Sequence, residues 1–281
     1  MILIIGGNGQ LGTELRYLLD EHNAKYISTN SEEMDITNAK ETMAVIKKIQ
    51  PSIIYHCAAY TAVDKAEGEG KELNELTNVR GTKNVVLAAK SVGAKLVYIS
   101  TDYVFDGTLK NEEYTENSIT NPQNKYGRAK LLGEQAVKKE LTDYYIIRTS
   151  WVFGQYGQNF VFTMLKLAET HDVITVVNDQ FGRPTWTRTL AEFMTFLVNE
   201  GSPYGVYHLS NEDSCTWYEF AKEILQHKSN VELRPISSDE YPQKAKRPQY
   251  SIMSLDKAEK LNFEIPTWKD ALQNFFKNGG G

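Results

Sequence analysis

Residues 2–22 read ILIIGGNGQLGTELRYLLDEH, and this stretch decides the fold. The apolar run at 2–5 predicts a short buried strand, and the residues after the glycines have the spacing of a helix. Gly7, Gly9 and Gly12 fit the spacing G-x-G-x-x-G, and Gly6 replaces Gly7 in the alternative G-x-x-G-x-x-G. Strand, glycine turn and helix together predict a dinucleotide-binding unit, because glycines let the backbone approach a pyrophosphate at a helix N-terminus.

The alternation of strand and helix continues through four more apolar runs. It predicts a Rossmann-type doubly wound parallel sheet over residues 1–151, an NAD(P)-binding domain. From residue 152 the strands and helices become shorter and prolines are interspersed. We expect residues 152–281 to form a smaller C-terminal α/β lobe that is mainly substrate-binding, with some segments returning to the main sheet. The cleft between the lobes is the expected substrate site.

Length and composition narrow the class of protein. The chain has 281 residues, 41% of them apolar and 24% charged, which suits one large or two modest globular domains. The net charge of -5 gives no general attraction to nucleic acid or to an anionic membrane. No signal-peptide core or long apolar run is found, and Cys57 and Cys215 do not make a disulfide framework. We therefore expect a cytoplasmic protein with no nucleic-acid or membrane partner.

A second informative stretch covers residues 95–132. Its apolar run ends in Ser-Thr-Asp at 100–102, and ligands in open parallel sheets gather at such carboxyl ends. Farther along, Tyr126 and Lys130 lie four residues apart at the start of a helical pattern, so both side chains project from one face. A nearby ammonium favours the phenolate. The pair therefore predicts a phenol with a lowered pKa that hands a proton to a carbonyl oxygen.

A second pair with the same spacing, Tyr218 and Lys222, has no polar strand end before it. Tyr218 lies in an apolar helical stripe with Ala221, Ile224 and Leu225, which predicts a packing role. Catalysis is therefore assigned to the first pair.

The end of the second strand is expected to select the coenzyme. An acid there binds the adenosine ribose of NAD, whereas an arginine favours the 2′-phosphate of NADP. This chain has STNS at 28–31, so NADPH and NADH both stay open, and the missing acid favours NADPH slightly. Asp35 follows, where it either reaches the adenine or caps the helix that begins near Asn38.

Several other residues allow two interpretations. Ala58 and Ala59 after the third strand either leave room for a cofactor or permit close helix–sheet packing. Asn78, inside a helix predicted from about Leu73 to Val92, has either a functional role or a hydrogen bond to neighbouring backbone. Three basic residues in loops of the second half either hold a diphosphate or are ordinary surface charge: Arg183, Lys246 and Arg247.

Together these features resemble the extended short-chain dehydrogenase/reductase family, and within it the dTDP-4-dehydrorhamnose reductases, over nearly the whole chain. The motifs that carry the resemblance are GGNGQLG (6–12), CAAYTAVDKAE (57–67), STDYVFDG (100–107), NKYGRAKLLGE (124–134), RTSWVFG (148–154) and DQFGRPT (179–185). The resemblance implies reduction of the C4 ketone of dTDP-4-dehydro-L-rhamnose by hydride from NADPH or NADH. The product would be dTDP-L-rhamnose for cell-surface polysaccharide.

The resemblance also implies roles for single residues. Tyr126 would donate the proton to O4, Lys130 would bind the nicotinamide ribose and bias the phenol, and Thr101 would hydrogen-bond the same oxygen. The expected sugar-nucleotide contacts, with the two loop arginines added for the diphosphate, are Thr101, Asp102, Tyr103, Trp151, Arg183 and Arg247. The residues expected around the cofactor are Gly6, Gly9, Gln10, Leu11, Gly12, Asp35, Ile36, Ala58, Ala59, Tyr60, Thr61, Tyr126 and Lys130.

The chain departs from the family pattern at several points. Ile5 stands where relatives often have threonine, and Arg183 stands in a loop where a small residue is common. His56-Cys57 replaces a more usual Asn-Ala before the two alanines, a change in packing beside the cofactor. Some relatives dimerise through a magnesium ion held by glutamates, and Glu192 matches one of these. Asp270 and Gln273 stand where further glutamates would be needed. We therefore predict no metal, and either a monomer or a homodimer.

There are four rival functions. Related dehydratases carry Asp-Glu directly after the threonine, since elimination needs both an acid and a base, and Asp102-Tyr103 here lacks the base. Another nucleotide-sugar 4-ketoreductase or an epimerase stays open, because each uses the same threonine, tyrosine and lysine. A non-catalytic NADP-binding regulatory subunit is disfavoured by the intact Thr101, Tyr126 and Lys130.

Overall fold

The computed structural model describes residues 1–110, 112–226 and 231–279. Its strands are β1 (Ile2–Ile5), β2 (Tyr26–Thr29), β3 (Ile53–His56), β4 (Lys95–Thr101), β5 (Tyr144–Thr149), β6 (Val152–Phe153), β7 (Val173–Val177), β8 (Phe181–Gly182), β9 (Thr185–Trp186), β10 (Gly205–His208), β11 (Cys215–Thr216) and β12 (Glu232–Ile236).

Its α-helices are α1 (Gln10–Glu21), α2 (Ala39–Ile49), α3 (Val63–Ala66), α4 (Lys71–Glu75), α5 (Thr82–Val92), α6 (Lys125–Glu140), α7 (Phe160–Ala168), α8 (Thr187–Asn199), α9 (Trp217–Ile224), α10 (Asp256–Glu259) and α11 (Trp268–Lys277). A π-helical segment, Leu76–Gly81, joins α4 to α5, and 3₁₀ turns lie at Asp102–Val104 and Ser238–Glu240. The helix predicted over about 73–92 is thus one continuous rod with a wider turn in its middle.

Six parallel strands form the central sheet, in the order β10-β5-β4-β3-β1-β2. The predicted doubly wound sheet is confirmed. Because β2 and β3 lie on opposite sides of β1, the chain changes direction there, and a ligand crevice opens beyond the carboxyl ends at such a point. β10 comes from the second half of the chain and pairs with β5, with Gly205 opposite Tyr145.

The two faces of the sheet pack into two separate hydrophobic cores. Ile4 and Val97 pack with leucines and aromatics of α1 and α8. Leu3 and Tyr98 face the other way, toward α2, α5 and α6. Since successive residues of a strand point to opposite faces, the continuous apolar runs seen in the sequence are what a sheet covered on both faces requires.

The second half of the chain has a core of its own. β7 pairs with β12 in parallel, and α7, α9 and α11 pack around them through Val161, Phe220, Trp268 and Phe275. Phe153 of β6 lies in the same core. Within the described ranges, every helix falls short of the length or the hydrophobicity that a bilayer span requires.

Candidate active site

A cavity of about 470 Å³ opens beyond the carboxyl ends of β1, β3, β4 and β5. It begins at the glycine turn after β1 and ends against the second half of the chain. The residues predicted for the site that line it are Gly9, Gln10, Leu11, Ala58, Ala59, Thr61, Thr101, Asp102, Tyr103, Tyr126, Lys130 and Trp151. The structure therefore brings twelve of the predicted cofactor, catalytic and sugar residues to one continuous space. The predicted residues outside its lining are Gly6, Gly12, Asp35, Ile36, Tyr60, Arg183 and Arg247.

In the glycine turn after β1, two segments of backbone lie very close together. A Cβ on Gly12 would lie 2.2 Å from the carbonyl oxygen of Gly6, so only glycine lets the turn close at this point. Gly6 itself has φ +82, in the left-handed region. Gly9 precedes α1 without a side chain to cap it, which leaves the N–H groups of the first helical turn free beside the cavity. Such a helix start attracts an anionic group.

The end of β4 places the polar side chains of the site. Thr101 Oγ1 accepts a hydrogen bond from Tyr103 N at 3.2 Å and donates to Asp102 Oδ1 at 3.0 Å. The first bond caps the 3₁₀ turn that follows β4, so the threonine and the aspartate are held at the strand end. Thr101 and Asp102 are 6% and 2% exposed.

The first turn of α6 packs tightly against this 3₁₀ turn. A Cβ on Gly127 would lie 2.1 Å from Tyr103 O, so glycine is required for the approach. Asn124 caps the helix by accepting from Gly127 N at 2.8 Å and donates through Nδ2 to Lys246 O at 2.9 Å. As a result the rings of Tyr126 and Tyr103 meet edge to face, with centroids 6.0 Å apart.

Electrostatics at the pair differ from the sequence-based expectation. Burial raises the pKa of Tyr126, the carboxylate of Asp102 raises it further, and the Thr101 hydroxyl acts in the opposite direction. Burial lowers the pKa of Lys130 to about 7. The expected lowering of the phenol pKa is therefore not seen, because desolvation outweighs the influence of the lysine. A phenol that stays protonated is the form that can donate a proton.

The carboxyl group of Asp102 has an unusual environment for an acid. Burial raises its pKa to about 6, against the hydrogen bonds of Ser251 and Thr101. Its Oδ2 is buried and, in the part of the chain that the structure describes, has no hydrogen-bond partner. Asp102 is one of the residues that line the cavity, so this unpaired oxygen belongs to a side chain at the cavity wall.

Two predicted cofactor residues lie between β2 and α2, away from the cavity wall. The carboxylate of Asp35 accepts from Thr37 N and Oγ1, whereas Asn38 caps α2. The capping interpretation of Asp35 was therefore wrong. Ile36 packs into the core on that side and fills the space above Gly81.

Asn78 has a role that neither interpretation named in full. Its side chain accepts from Tyr60 N at 3.1 Å and donates to Tyr60 O at 2.9 Å, and it also donates to Asn74 Oδ1 at 2.8 Å. The partner backbone is therefore distant in sequence, not neighbouring. Asn78 lies in the π-helical segment and holds the loop after β3, which carries Ala58 to Thr61 along the cavity.

The two loop arginines are engaged outside the cavity wall. Arg183 donates to Glu113 Oε1 and to Met253 O. Arg247 pairs with Asp64 at 2.6 Å. Asp64 also accepts from the backbone of residues 244 and 245, so this pair ties the 244–247 loop to α3 beside the site.

Several residues at or beside the site were not predicted from the sequence, and Trp217 and Arg16 are two of them. Trp217 lines the cavity and stacks on Trp151, with ring centroids 3.6 Å apart. Trp151 has φ 46, a rare conformation for a large residue, and Gly182 leaves no room for a Cβ beneath its ring. Arg16 lies on α1 beside the end of β2, where its side chain and Ser28 both face Gly7. Its spacing of four from Gly12 would have placed it on that helix face.

The second tyrosine–lysine pair behaves as predicted. Tyr218 packs against the core of the second half, and Lys222 is exposed. Tyr218 is therefore a natural control for Tyr126.

Comparison with known proteins extends this picture. A family model described as RmlD substrate binding domain matches residues 1–280. The chain belongs to this family. Three curated relatives are similar over 97–98% of this chain and 96–97% of their own length. They are the spore coat polysaccharide biosynthesis protein SpsK of Bacillus subtilis (39% identical), the dTDP-4-dehydrorhamnose reductase of Aggregatibacter actinomycetemcomitans (37%) and the dTDP-4-keto-6-deoxy-D-glucose reductase of Streptomyces niveus (35%).

Solved structures of the RmlD family agree with the fold. The dTDP-4-dehydrorhamnose reductase of Bacillus anthracis, in complex with NADP, is 42% identical with a TM-score of 0.94, and the match covers 99% of this chain and 98% of that one. A dTDP-4-dehydrorhamnose reductase from Clostridium acetobutylicum is also 42% identical, with a TM-score of 0.94 and 98% of each chain covered. The resemblance to dTDP-4-dehydrorhamnose reductases is confirmed.

The residues present fit a nicotinamide dinucleotide. The uncapped start of α1 suits a pyrophosphate, Ala58 and Ala59 keep the wall after β3 shallow, and Lys130 lies at the far end. One cavity therefore offers an anion site at one end and a proton donor at the other.

Proposed function

We propose that this protein reduces the C4 ketone of dTDP-4-dehydro-L-rhamnose to dTDP-L-rhamnose. The observation that carries the proposal is the convergence of Thr101, Tyr126 and Lys130 in the cavity that starts at the glycine turn. A carbonyl reductase needs a proton donor at the end of a dinucleotide site, and this arrangement supplies one. The names of the reductases among the relatives support the same substrate class, a nucleotide sugar.

The residues of the chain have distinct proposed roles. NADPH or NADH, when bound, supplies the hydride. Tyr126 holds its proton, as its raised pKa requires, and donates it to the oxygen at C4. Thr101 hydrogen-bonds the same oxygen, and the ammonium of Lys130 stabilises the phenolate that is left. Asp102 accepts from a sugar hydroxyl through Oδ2, and Tyr103 and Trp151 shape the sugar site.

We further propose that NADPH is preferred over NADH. Arg16 reaches Gly7 O and Asn8 Oδ1 next to the end of β2, and no acid stands at 28–31. The preference rests on charge, because a guanidinium attracts a 2′-phosphate and an acid would repel it.

We also propose the roles of the two parts of the chain, the location of the protein, its oligomeric state and its partners. Residues 1–151 form the cofactor domain and residues 152–281 mainly the substrate lobe, with β10 returning to the main sheet. The protein works in the cytoplasm as a monomer or homodimer, and it binds neither nucleic acid nor membranes, in keeping with its net charge of -5.

A second candidate is reduction of another nucleotide sugar with a 4-keto group. It is favoured by one observation, the 35% identity to a dTDP-4-keto-6-deoxy-D-glucose reductase. Both substrates would present a ketone to the same tyrosine. The residues in the walls of the site would therefore distinguish one sugar configuration from the other. Trp151, Trp217 and Asp102 are the wall residues that would decide between them.

The test is NADPH oxidation with each of the two 4-keto sugar nucleotides. We expect the higher kcat/KM with dTDP-4-dehydro-L-rhamnose, and a higher value with the D-glucose-derived ketone would support the second candidate. Cofactor binding without turnover of either would overturn both.

Tyr126→Phe should lower kcat by about 10²- to 10⁴-fold and leave NADPH affinity nearly unchanged, because the phenol acts in the transition state. Tyr218→Phe is the matched control, since it removes a hydroxyl from the same kind of pair on a packing helix. Equal kcat values in the two variants would show that Tyr126 is not the proton donor.

A further inference from the structure

The ammonium of Lys130 lies over the face of an aromatic ring. Its Nζ is 4.2 Å from the ring centroid of Tyr98, and the residue is 3% exposed. In residues 1–110, 112–226 and 231–279, no carboxylate lies within ion-pairing distance of this Nζ, and it donates no hydrogen bond. The ring is therefore a group that favours its charge at short range.

The position of Tyr98 follows from the strand and the helix. Alternate residues of β4 face α6, so Tyr98 lies under Lys130 and Ser100 lies under Glu134 one helical turn later. Tyr98 Oη donates to Lys130 O at 3.4 Å. A Cβ on Gly133 would lie 2.3 Å from Tyr98 Oη, so glycine is needed there for α6 to approach the ring. Three features of the chain thus keep this ring beneath the ammonium.

The other titratable groups around Lys130 give its charge little direct support. On α6, the carboxylate of Glu134 is bound by Arg148 of β5 and by Ser100, although it still raises the pKa of Lys130 against the larger effect of burial. Tyr126, on the same helix, stays neutral because its pKa is raised.

From the end of β3, His56 and Cys57 face the lysine. Burial lowers the pKa of His56 to about 3 and raises that of Cys57 to about 12, so both are uncharged at neutral pH. Tyr98 itself is neutral, because burial raises its pKa well above the ordinary value. The ring of Tyr98 therefore acts on the ammonium through its π electrons and not through a phenolate.

We propose that Tyr98 is a positioning residue for the reaction: the face of its ring holds Lys130 in place and keeps it charged at the pH of catalysis. The proposal deepens the proposed reductase function and rests on it for its catalytic meaning. A charged Lys130 is the form that stabilises the phenolate of Tyr126, so loss of the ring would deprive the site of that charge as the pH rises.

Two variants separate the ring from the hydroxyl. Tyr98→Phe keeps the aromatic face and removes Oη, whereas Tyr98→Leu removes the face. We expect the pKa of Lys130 to fall by about one unit in Tyr98→Leu, and to change much less in Tyr98→Phe. The pKa is read directly from an NMR titration of protein with ¹³C-labelled lysine, with the Lys130 signal assigned by its loss in Lys130→Met.

The pH dependence of kcat gives a second measurement. Because the ammonium is needed, activity falls as the pH rises through the pKa of Lys130. This alkaline limb should move down by about one pH unit in Tyr98→Leu, so that its kcat relative to wild type is about fivefold lower at pH 8 than at pH 6. In Tyr98→Phe the alkaline limb should stay at its wild-type position, because the aromatic face is kept.

The outcomes distinguish the two proposals. An unchanged or raised Lys130 pKa in Tyr98→Leu, or equal shifts in both variants, would overturn the role of the ring. If the pKa falls as expected but wild-type protein does not oxidise NADPH with either ketone, the reductase function fails and the role of the ring stands. Tyr98→Met, closer in volume to tyrosine, replaces Tyr98→Leu if the leucine variant does not fold.

Discussion

Removing the carboxylate of Glu134 should be among the most damaging single changes outside the cavity. Glu134 and Arg148 are joined by two hydrogen bonds, Nε to Oε1 at 2.9 Å and Nη2 to Oε2 at 2.8 Å. Ser100 Oγ donates to Oε1 at 2.6 Å. The two charged side chains are 0% and 2% exposed. The pair fastens α6, which carries Tyr126 and Lys130, to the sheet.

Glu134→Ala would leave a buried guanidinium with two weak contacts, Glu116 O at 3.5 Å and His208 Nε2 at 3.4 Å. Breaking a buried ion pair from one side costs about 3–5 kcal/mol. A typical protein has about 5–15 kcal/mol of stability in total. The variant should therefore unfold at a much lower urea concentration than wild type, as followed by circular dichroism.

The double variant Glu134→Met with Arg148→Met tests the physical reason. It removes both charges and keeps much of the volume, so it should be more stable than Glu134→Ala. Glu140→Ala, on the exposed part of the same helix, is the control and should change stability little, because its partner Lys90 is on the surface. The reasoning fails if Glu134→Ala costs less than about 1 kcal/mol, or if the double variant is the least stable of the three.

Acidic pH gives an independent check on this pair. Burial acts to raise the pKa of Glu134, but Arg148, Ser100 and Lys138 outweigh it and the pKa is lowered. The contribution of the carboxylate is therefore complete above its unfolded-state value of 4.5 and is lost as the pH falls through the lower folded-state value. The difference in stability between wild type and Glu134→Ala should shrink below that range.

Three further predictions concern the cavity. Gly12→Ala should weaken NADPH binding at least about tenfold in a fluorescence titration, because its Cβ would lie 2.2 Å from Gly6 O, whereas Gly68→Ala, with nothing within 4 Å, should not. Arg16→Leu should lower the ratio of kcat/KM for NADPH to that for NADH by about tenfold, mainly through NADPH; an unchanged ratio would contradict the proposed phosphate contact. Asp102→Asn should stabilise the protein by up to about 3 kcal/mol at pH 8 and by about half as much at pH 5 in urea unfolding, since burying the charged form costs most above its raised pKa of about 6; a larger gain at pH 5 would contradict this sign.

Local sequence patterns were enough to predict the strands of the sheet and the main residues of the candidate site. The apolar runs before Gly6 and Thr101 became β1 and β4, and both deliver their polar or glycine ends to the same cavity. The i,i+4 spacing of Tyr126 and Lys130 put them on one face of α6. These predictions depend only on the periods of strands and helices, which the sequence carries directly.

Contacts between distant segments could not be read in this way. Trp217, the first residue of α9, reaches the cavity where its ring stacks on Trp151, just after β5, and no local pattern marks that contact. Arg183 and Arg247 were predicted either to hold a diphosphate or to be surface charge, and the ion pairs that they make with Glu113 and Asp64, far away in the chain, could not be predicted. Charge type was visible in the sequence, but the choice of partner was not.

The sequence by itself determined the parallel sheet, the glycine turn and the placement of the proposed catalytic trio, because each follows from residue type and short-range spacing. Only the tertiary structure decided the electrostatics of that trio. Burial raises the pKa of Tyr126 and lowers that of Lys130, opposite to what the bare pair predicts for the phenol. Desolvation and the ring of Tyr98 arise from packing between elements, and the folded chain alone creates that environment.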